Sequence, residues 1–418
     1  MTTADEAVVD VVVVGAGAAG IAAARMLRAR GRSVQVLEAD TRIGGRARTT
    51  SADLGVAVDH GCAWLHCADI NPLRELADRL GVRYGGNPDM HYHIGGRWLD
   101  AAECNALRSR LRAVDADLVQ AGQRGRDVAA AELLDADDPW APVRDYLLTA
   151  INAVPPERYA TADAAAEERT GEDWIVRDGL GYLIVRLAEG LPIRCGCPVR
   201  ALRCGANGVH VRCDNEAYRA RAAIVTASTA VLTGGLIDFD PPLPPSRREA
   251  LERVPLGVAE KIALRFDTAI TGRPGNTYLA IERDGEVLGF HVQPQAEEVL
   301  LAYVGGARAE AVAERTAAAN ADYALGFLEH AFGPGVREHL AAVTSTAWCR
   351  EPWIGGSYSA ATPGGGYAAR AEIARPLHER ILFAGEATHP HHFTTAHGAW
   401  ESGERAAAEA LRLAGGAA

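Results

Sequence analysis

The 418-residue chain is poor in lysine: Lys261 is the single lysine among 43 basic residues, and the other 42 are arginine. Against 54 acidic residues this leaves a formal net charge of −11, so the chain lacks the cationic excess that nucleic-acid binding requires. It also lacks any run near the roughly 20 apolar residues of a membrane span, and its acidic start is unlike a secretory signal. We therefore expect no nucleic-acid partner, no membrane partner and a cytoplasmic location.

Cysteine is too sparse for a disulfide framework. Eight cysteines in a chain of this length predict reduced thiols, and the Cys195-Gly196-Cys197 spacing fits neither a Cys-x-x-Cys redox motif nor a zinc knuckle. The composition, 48% hydrophobic and 23% charged with 44 glycines, is typical of a globular protein with many tight turns. The length predicts two or three domains.

The first forty residues predict a strand, a glycine turn, a helix and a second strand. Residues 8–14 are apolar and mostly β-branched, as in a buried parallel strand. The motif GAGAAG follows at residues 15–20, a helix is expected over 18–30, and the second strand ends at Glu38. Such glycines permit a tight turn, backbone approach to a pyrophosphate and close helix packing, while the acid accepts from ribose hydroxyls. The pattern predicts a Rossmann-like dinucleotide site.

Further motifs resemble one family of dinucleotide-binding proteins. RIGGRART at residues 42–49 resembles the second glycine motif of the flavin-containing amine oxidase superfamily, whose Gly-Gly-Arg turn lies over the flavin's phosphate and ribityl chain. DHGCAWLH at 59–66 is similar to the family segment beside the isoalloxazine ring, and FAGEAT at 383–388 resembles a closing motif. The resemblance spans nearly the whole chain, is weakest over 85–170, and in FTTAHG at 393–398 is closest to animal-type spermine and acetylpolyamine oxidases.

The resemblance implies an FAD cofactor. Ser357 stands where covalently flavinylated monoamine oxidases have cysteine, so we expect FAD to be bound without a covalent link. Val199 matches a valine that contacts the adenine, and the last helix, expected over 399–413, directs its N-terminus toward the flavin. The residues expected to contact FAD are Gly15, Ala16, Gly17, Ala19, Gly20, Glu38, Ala39, Gly44, Gly45, Arg46, Gly61, Cys62, Ala63, Trp64, Val199, Trp348, Gly385, Glu386, Thr395 and Ala396.

Four residues are expected at the reacting centre by the same resemblance. Lys261 matches the family's active-site lysine, which holds a water against the flavin for imine hydrolysis or for reoxidation by oxygen; the sequence leaves both uses open. Elsewhere this chain uses arginine for positive charge, so its single lysine fits a site that needs a compact amine. His66 matches a histidine of animal-type polyamine oxidases. Tyr358 forms one aromatic wall, and Thr395 replaces the second caging aromatic of monoamine oxidases.

Three features depart from the family pattern or stand outside it. Cys67 occupies a position where glycine is usual. The histidines at 389, 391 and 392 have the composition of a metal site but no matched partner in the sequence, so we assign no metal ligand. Residues 172–174 are expected to form a solvated acidic turn, with a contact to a cationic amine as the alternative.

The expected fold is α/β, a Rossmann-like FAD-binding domain of the amine oxidase type with an interleaved α+β substrate domain. We expect residues 1–88, 175–265 and 346–418 to bind FAD, and residues 89–174 and 266–345 to bind substrate. The expected reaction is hydride transfer from a polyamine or another primary or secondary amine, giving imine and then aldehyde, with oxygen reduced to peroxide. Oxidation of an L-amino acid and desaturation of a non-amine substrate are the alternatives. The protein is expected to be a monomer or homodimer.

Overall fold

A computed structural model describes residues 7–415 of the chain, and side chains from 8 to 413. The strands are β1 (Ala7–Val14), β2 (Val34–Leu37), β3 (Thr49–Thr50), β4 (Val58–Asp59), β5 (Trp64–Leu65), β6 (Asp89–Ile94), β7 (Arg97–Trp98), β8 (Trp174–Ile175), β9 (Ile193–Arg194), β10 (Val199–Gly205), β11 (Gly208–Cys213), β12 (Ala217–Val225), β13 (Asp238–Asp240), β14 (Ala259–Phe266), β15 (Thr277–Arg283), β16 (Glu286–Gln293), β17 (Ala296–Gly305), β18 (Leu340–Ser345) and β19 (Ile381–Phe383). The α-helices are α1 (Ala18–Ala29), α2 (Pro72–Leu80), α3 (Ala101–Gln123), α4 (Ala141–Asn152), α5 (Thr161–Ala166), α6 (Leu180–Leu187), α7 (Thr229–Thr233), α8 (Pro245–Arg253), α9 (Ala307–Glu314), α10 (Ala317–Phe332), α11 (Gly366–Ala374) and α12 (Ala396–Gly415).

The first sheet has eight strands in the order β13-β10-β11-β12-β1-β2-β9, with β19 also pairing with β12. β1 is parallel to β2 and to β12, and β12 is parallel to β19. The last residues of these four strands are in register, so the segments that follow them meet at one edge of the sheet. In open α/β sheets this carboxyl edge is where ligands bind.

The helix on the glycine turn forms as the sequence predicted. α1 begins at Ala18 and ends at Ala29, and Gly31 adopts the left-handed conformation (φ +72°) that ends such helices. α12 packs on α1 so closely that a Cβ on Gly403 would lie 2.1 Å from the carbonyl oxygen of Ala19. Glycine is therefore required where the two helices cross.

The predicted start of the last helix is wrong by one turn. α12 begins at Ala396, three residues before the expected start at residue 399. Thr395 causes the earlier start, because its hydroxyl accepts a hydrogen bond from the backbone N–H of Gly398 at 3.0 Å and thus caps the helix.

The second sheet has seven strands in the order β18-β14-β17-β16-β15-β6-β7. It includes β14, which carries Lys261 and which the expected boundary at residue 265 assigns almost entirely to the FAD-binding part. It also includes β6 and β7, so the region from residue 89 opens with two strands before the helices α3, α4 and α5. Buried side chains of this sheet pack with those of α9 and α10.

Helices α3 and α4, which lie between β7 and β8 in the chain, pack against the second sheet. Leu107 of α3 and Val143 of α4 pack with Tyr92 of β6 in one buried cluster. Within residues 7–415, no helix combines the length and apolar character needed to cross a bilayer.

Candidate active site

The glycine turn at the end of β1 is tightly constrained. Gly15 has φ +100°, and a Cβ there would lie 2.4 Å from the hydroxyl of Thr226. A Cβ on Gly20 would lie 1.9 Å from the carbonyl oxygen of Gly15. These contacts leave no room for side chains, and they place the N-terminus of α1 at the carboxyl edge of the sheet, where its N–H groups favour an anion.

Glu38 is anchored on this turn. Its carboxylate accepts hydrogen bonds from the N–H of Ala16 at 2.7 Å and of Asp40 at 2.9 Å, and the residue is 8% exposed. Burial raises the pKa of Glu38, and the two backbone hydrogen bonds oppose that rise. Because a carboxylate offers about four lone-pair sites, acceptor capacity remains for ribose hydroxyls.

The second glycine turn lies against the first. Gly44 (φ +101°) donates its N–H to the carbonyl oxygen of Ala16 at 2.8 Å, and a Cβ on Gly45 would lie 3.4 Å from Cα of Gly17. Both turns therefore present bare backbone to the same edge, as close approach of a pyrophosphate requires. A small cavity at that edge is lined by Arg46, residues 225–229 and residues 383–388. These features fit a bound dinucleotide.

Arg46 connects the second glycine turn to the C-terminal motifs. Its guanidinium donates to the carboxylate of Glu386 at 2.9 Å and to the backbone oxygen of Ser357 at 2.5 Å. At Gly385 (φ +131°), the space that a Cβ would occupy is open. The residues expected to contact FAD from the two ends of the chain thus meet here.

Val199, the residue expected to contact the adenine, lies at the start of β10. Val199 is buried and pairs with Cys213 of β11. The preceding residue but one, Cys197, donates its N–H to the carbonyl oxygen of Glu38 at 2.8 Å. Val199 therefore lies at the same end of the site as the expected ribose ligand.

Lys261 reaches from the second sheet to the segment expected beside the flavin ring. Its Nζ donates to the carbonyl oxygens of Asp59 at 2.8 Å and Gly61 at 2.6 Å. A Cβ on Gly61 would lie 1.7 Å from the backbone oxygen of Arg46, so the segment is held between Arg46 and the lysine. Nζ also lies 5.0 Å from the centre of the Tyr303 ring.

Two side chains near this lysine, the buried Asp59 and the half-buried Cys62, have raised pKa values. Burial raises the pKa of Asp59, opposed by a hydrogen bond from Thr49 and the charge of Lys261. Burial also raises the pKa of Cys62 to about 12, so this residue stays a neutral thiol. The indole of Trp348 donates to the carbonyl oxygen of His60 at 3.0 Å, which fixes the same segment from its other side.

Three tyrosines, one of them in contact with the lysine, meet near helix α4. The hydroxyl of Tyr358 donates to the carbonyl oxygen of Ala150 on α4 at 2.8 Å, and burial raises its pKa. Tyr303 accepts from the indole of Trp64 at 3.3 Å, and its backbone oxygen accepts from the hydroxyl of Tyr146 at 3.0 Å. The sequence did not reveal Tyr303 or Tyr146, because Tyr303 pairs with Lys261 only through the register of β14 with β17.

His66 lies at the exposed end of the site. Its Nδ1 is 2.8 Å from a carboxylate oxygen of Asp173, and both side chains are about half exposed. Burial raises the pKa of Asp173, but the hydrogen bond and charge of His66 outweigh it and leave that pKa below its ordinary value. Asp173 therefore holds the histidine, which is a more specific role than the solvated turn expected for residues 172–174.

Thr395 has a structural use that the sequence analysis did not foresee. Besides capping α12, its hydroxyl donates to the carbonyl oxygen of His392 at 2.7 Å, and the residue is 9% exposed. Both hydrogen-bonding roles of the hydroxyl are therefore occupied. Its assignment to the reacting centre stays a prediction, as does the contact of Ala396, the first residue of α12.

The histidine cluster has a partner that the sequence did not show. Glu401 of α12 places a carboxylate oxygen 2.7 Å from Nδ1 of His392 and 3.2 Å from Nε2 of His389. Nδ1 of His389 accepts two backbone N–H bonds, from His391 and His392, so its ring proton lies on Nε2. The hydrogen bond to Glu401 raises the pKa of His392. The ligand atoms of His389, His392 and Glu401 lie within 4.8 Å of one another, and the absence of a metal ligand stays a prediction.

Cys67 takes the backbone conformation for which the family uses glycine. Its φ is +50°, in the left-handed region that few residues with a side chain adopt. Its buried thiol donates to the carbonyl oxygen of Glu168 at 3.2 Å, which ties the loop beyond His66 to the segment leading from α5.

Comparison with known proteins agrees with this geometry. Residues 18–411 match the family model described as flavin containing amine oxidoreductase. The chain is 30% identical over 449 residues to Lysine-specific histone demethylase 1 homolog 1 of Arabidopsis thaliana, covering 97% of this chain and 52% of that protein. It is 28% identical over 436 residues to Polyamine oxidase 4 of Oryza sativa subsp. japonica, covering 96% of this chain and 88% of that protein. The chain spans about half the length of the curated demethylases it matches.

Solved structures share the fold. Wild-type putrescine oxidase bound to putrescine superposes with a TM-score of 0.81 at 22% identity, covering 97% of this chain and 99% of that chain. Cyclohexylamine oxidase from Brevibacterium oxydans IH-35A gives a TM-score of 0.80 at 24% identity, with the same coverage. The expected fold class, family resemblance and flavin cofactor are confirmed.

Proposed function

Because the chain belongs to the flavin-containing amine oxidoreductase family, we propose that it oxidises a small-molecule amine with molecular oxygen as the acceptor. The observation that carries the proposal is the position of the single lysine. Lys261 joins the second sheet to the backbone of residues 59–61, beside the turns that fit the dinucleotide and next to the half-buried ring of Tyr303.

FAD bound at this site would supply the acceptor for a hydride from the carbon next to the amine nitrogen and pass the electrons to oxygen, yielding imine and peroxide. The backbone of the two glycine turns and the N-terminus of α1 would hold its pyrophosphate, and Glu38 its ribose. The N-terminus of α12 would lie toward the flavin ring, where partial positive charge favours negative charge on reduction. Ser357 supports a non-covalent link, since its hydroxyl bonds to the backbone of Ala259 and it carries no sulfur.

Lys261 supports proton handling at the reacting centre. An ammonium has three N–H donors, and two of them go to the carbonyl oxygens of Asp59 and Gly61. The third remains to hold a water molecule or to donate a proton. A guanidinium at this position would be larger and would not exchange its proton, so the lysine is the fitting cation here.

The aromatic residues support binding of a neutral amine. The high pKa of Tyr358 keeps it an uncharged phenol. The ring of Tyr303 lies 5.0 Å from Nζ of Lys261, and its backbone oxygen accepts from the hydroxyl of Tyr146. These rings exclude water from the reacting carbon. His66, held by Asp173 at the exposed end, is placed to exchange a proton with an arriving ammonium. On this basis the first sheet holds the cofactor and the second sheet, with α4, encloses the substrate.

The proposal is tested by mixing the purified flavoprotein under nitrogen with single amines of different size and charge, including diamines, polyamines and monoamines. We expect at least one amine to bleach the flavin, and oxygen to restore its colour with release of one peroxide per flavin. Reduction by L-amino acids alone would favour the amino-acid oxidase alternative. Failure of every amine and amino acid to bleach the flavin would contradict the proposal.

A further inference from the structure

A buried polar network links the helical part of the substrate domain to the cofactor site. Arg370 of α11 and Asp163 of α5 form an ion pair at 2.9 Å, with both side chains 2% exposed. The guanidinium also donates to the hydroxyl of Ser359 at 2.7 Å, and that hydroxyl donates to the carboxylate of Glu386 at 2.7 Å. Glu386 completes the network through its bond to Arg46 at 2.9 Å.

The network fixes the two residues that flank Tyr358 in the chain, Ser357 and Ser359. On one side, the backbone oxygen of Ser357 accepts from Arg46. On the other, the hydroxyl of Ser359 is fixed by Arg370 and Glu386. Both neighbours of the tyrosine are thus held by charge-assisted bonds, fully buried at Ser359 and partly buried at Ser357, and such bonds are about twice as strong as neutral ones. The backbone oxygen of Tyr358 itself accepts from the N–H of Gly257 at 2.8 Å.

The electrostatics of the network are balanced. Burial raises the pKa of Glu386, but the charge of Arg46, the hydrogen bond from Ser359 and the charge of Arg370 outweigh it, so the carboxylate stays ionised. Asp163 accepts a further hydrogen bond from the N–H of Ala361 at 2.8 Å. The network therefore alternates cation and anion without an unpaired charge.

We propose that Asp163, Arg370, Ser359, Glu386 and Arg46 form a positioning network that sets Tyr358 in the substrate site. The inference rests on the proposed role of Tyr358 as a wall of that site. The members of the network beyond Arg46 and Glu386 are positioning residues, since they act through Tyr358 and do not line the reacting centre. Because amine oxidation requires the donor carbon to be placed closely, a small displacement of the wall should slow reduction of the flavin.

Ser359→Ala tests the network with the least disturbance, because it removes the link between Arg370 and Glu386 but keeps the ion pair with Asp163. We expect FAD content to stay near wild type, the limiting rate of flavin reduction by amine to fall between about 10- and 100-fold per bound flavin, and reoxidation by oxygen to stay unchanged. Ser359→Cys, with similar volume and a weaker donor, replaces it if the alanine variant does not fold.

Thr161→Val is the matched control. Its hydroxyl is also fully buried, lies on the same helix as Asp163 and donates to the carbonyl oxygen of Arg126 at 2.6 Å, outside the network. We expect this variant to lose thermal stability but to keep wild-type rates per bound flavin. If it slows reduction as much as Ser359→Ala does, general destabilisation explains both variants and the positioning role is overturned.

Tyr358→Ala, alone and combined with Ser359→Ala in a double variant, shows whether the slower flavin reduction expected of Ser359→Ala acts through Tyr358. We expect the double variant to reduce no more slowly than Tyr358→Ala alone, since coupled residues are not additive. The network would be overturned if the two substitutions slowed flavin reduction additively. It would also be overturned if Ser359→Ala reduced its flavin at the wild-type rate while Tyr358→Ala was slow. Wild-type reduction in Tyr358→Ala would instead overturn the proposed wall and the network with it.

A readout without substrate separates this inference from the proposed function. The visible circular dichroism of the bound flavin depends on the aromatic groups around it, so Ser359→Ala should shift it in the same direction as Tyr358→Ala, with Thr161→Val unchanged. An unshifted spectrum in Ser359→Ala would contradict the network, whether or not any amine reduces the wild-type flavin. Failure of every amine to reduce the wild-type flavin would contradict only the proposed function.

Discussion

Replacing Lys261 by methionine removes the cation at the proposed reacting centre and keeps a side chain of similar length. Two charge-assisted hydrogen bonds, to the carbonyl oxygens of Asp59 and Gly61, are lost with it. A buried acceptor left without a donor costs roughly 1–3 kcal/mol of unfolding free energy, so the variant should be less stable but folded. FAD should remain bound, because the expected pyrophosphate and ribose contacts come from the first sheet.

Turnover should fall much more than stability. General acid–base assistance by one group is worth about 10²- to 10⁴-fold in rate, and we expect a loss in that range. Stopped-flow mixing with amine under nitrogen, and then with oxygen, assigns the loss to flavin reduction or to reoxidation. A loss confined to reoxidation would assign the lysine-held water to the reaction with oxygen, which is one of the two uses that the sequence leaves open.

Arg265→Met provides the control on the same strand. Residues 261 and 265 lie on one face of β14, and the guanidinium of Arg265 likewise donates to a backbone carbonyl, that of Leu54, at 2.7 Å. It should lose stability but keep both half-reactions. If Lys261→Met retains wild-type rates in both half-reactions, the lysine is an ordinary structural cation and the main argument for amine oxidation is refuted.

Three further outcomes are expected. Acid or heat should release yellow FAD into the supernatant, since Ser357 cannot form a thioether; colour that stays with the precipitate would contradict this. Glu38→Ala should lower the FAD retained after extended dialysis, because it removes the expected ribose acceptor and two bonds that hold the turn; unchanged occupancy would show that Glu38 is not the ribose ligand. Burial, and then the charge of Lys261, lower the pKa of His291 from 6.5 to about 3. As the pH falls below 6.5, the unfolded chain therefore binds a proton that the folded chain does not, and the free energy of unfolding falls by about 1.4 kcal/mol per pH unit. Urea unfolding at pH 6.5 and 5 should therefore show a loss larger by roughly 2 kcal/mol in wild type than in His291→Gln, and equal losses would contradict it.

The cofactor-binding part of the fold was predictable because its signals are local. The buried strand, the GAGAAG turn and the acid that ends the second strand can each be recognised from a few neighbouring residues. The asparagine cap and glycine stop of α2 are of the same kind, with Asn71 accepting from the N–H of Leu73 and Gly81 at φ +67°. Even the anomaly at Cys67 was visible, since its left-handed φ is the reason that glycine is usual there.

The first residue of α12 was predicted wrongly from the sequence. The helix was expected to start at residue 399, but Thr395 caps it and it begins at Ala396. Glu401 of the same helix contacts the histidine pair, which the sequence had left without a partner.

Only the tertiary structure decided which distant residues share the active site. Lys261 bonds to Gly61 across 200 positions, and Arg370 pairs with Asp163 across 207. No periodicity marks such partners, and among 42 arginines nothing in the sequence distinguishes the buried Arg370. Which groups meet depends on how the two sheets and the helices around them pack against one another, so the sequence by itself determined the cofactor turns and the single lysine, while that packing determined what the lysine and Tyr358 contact.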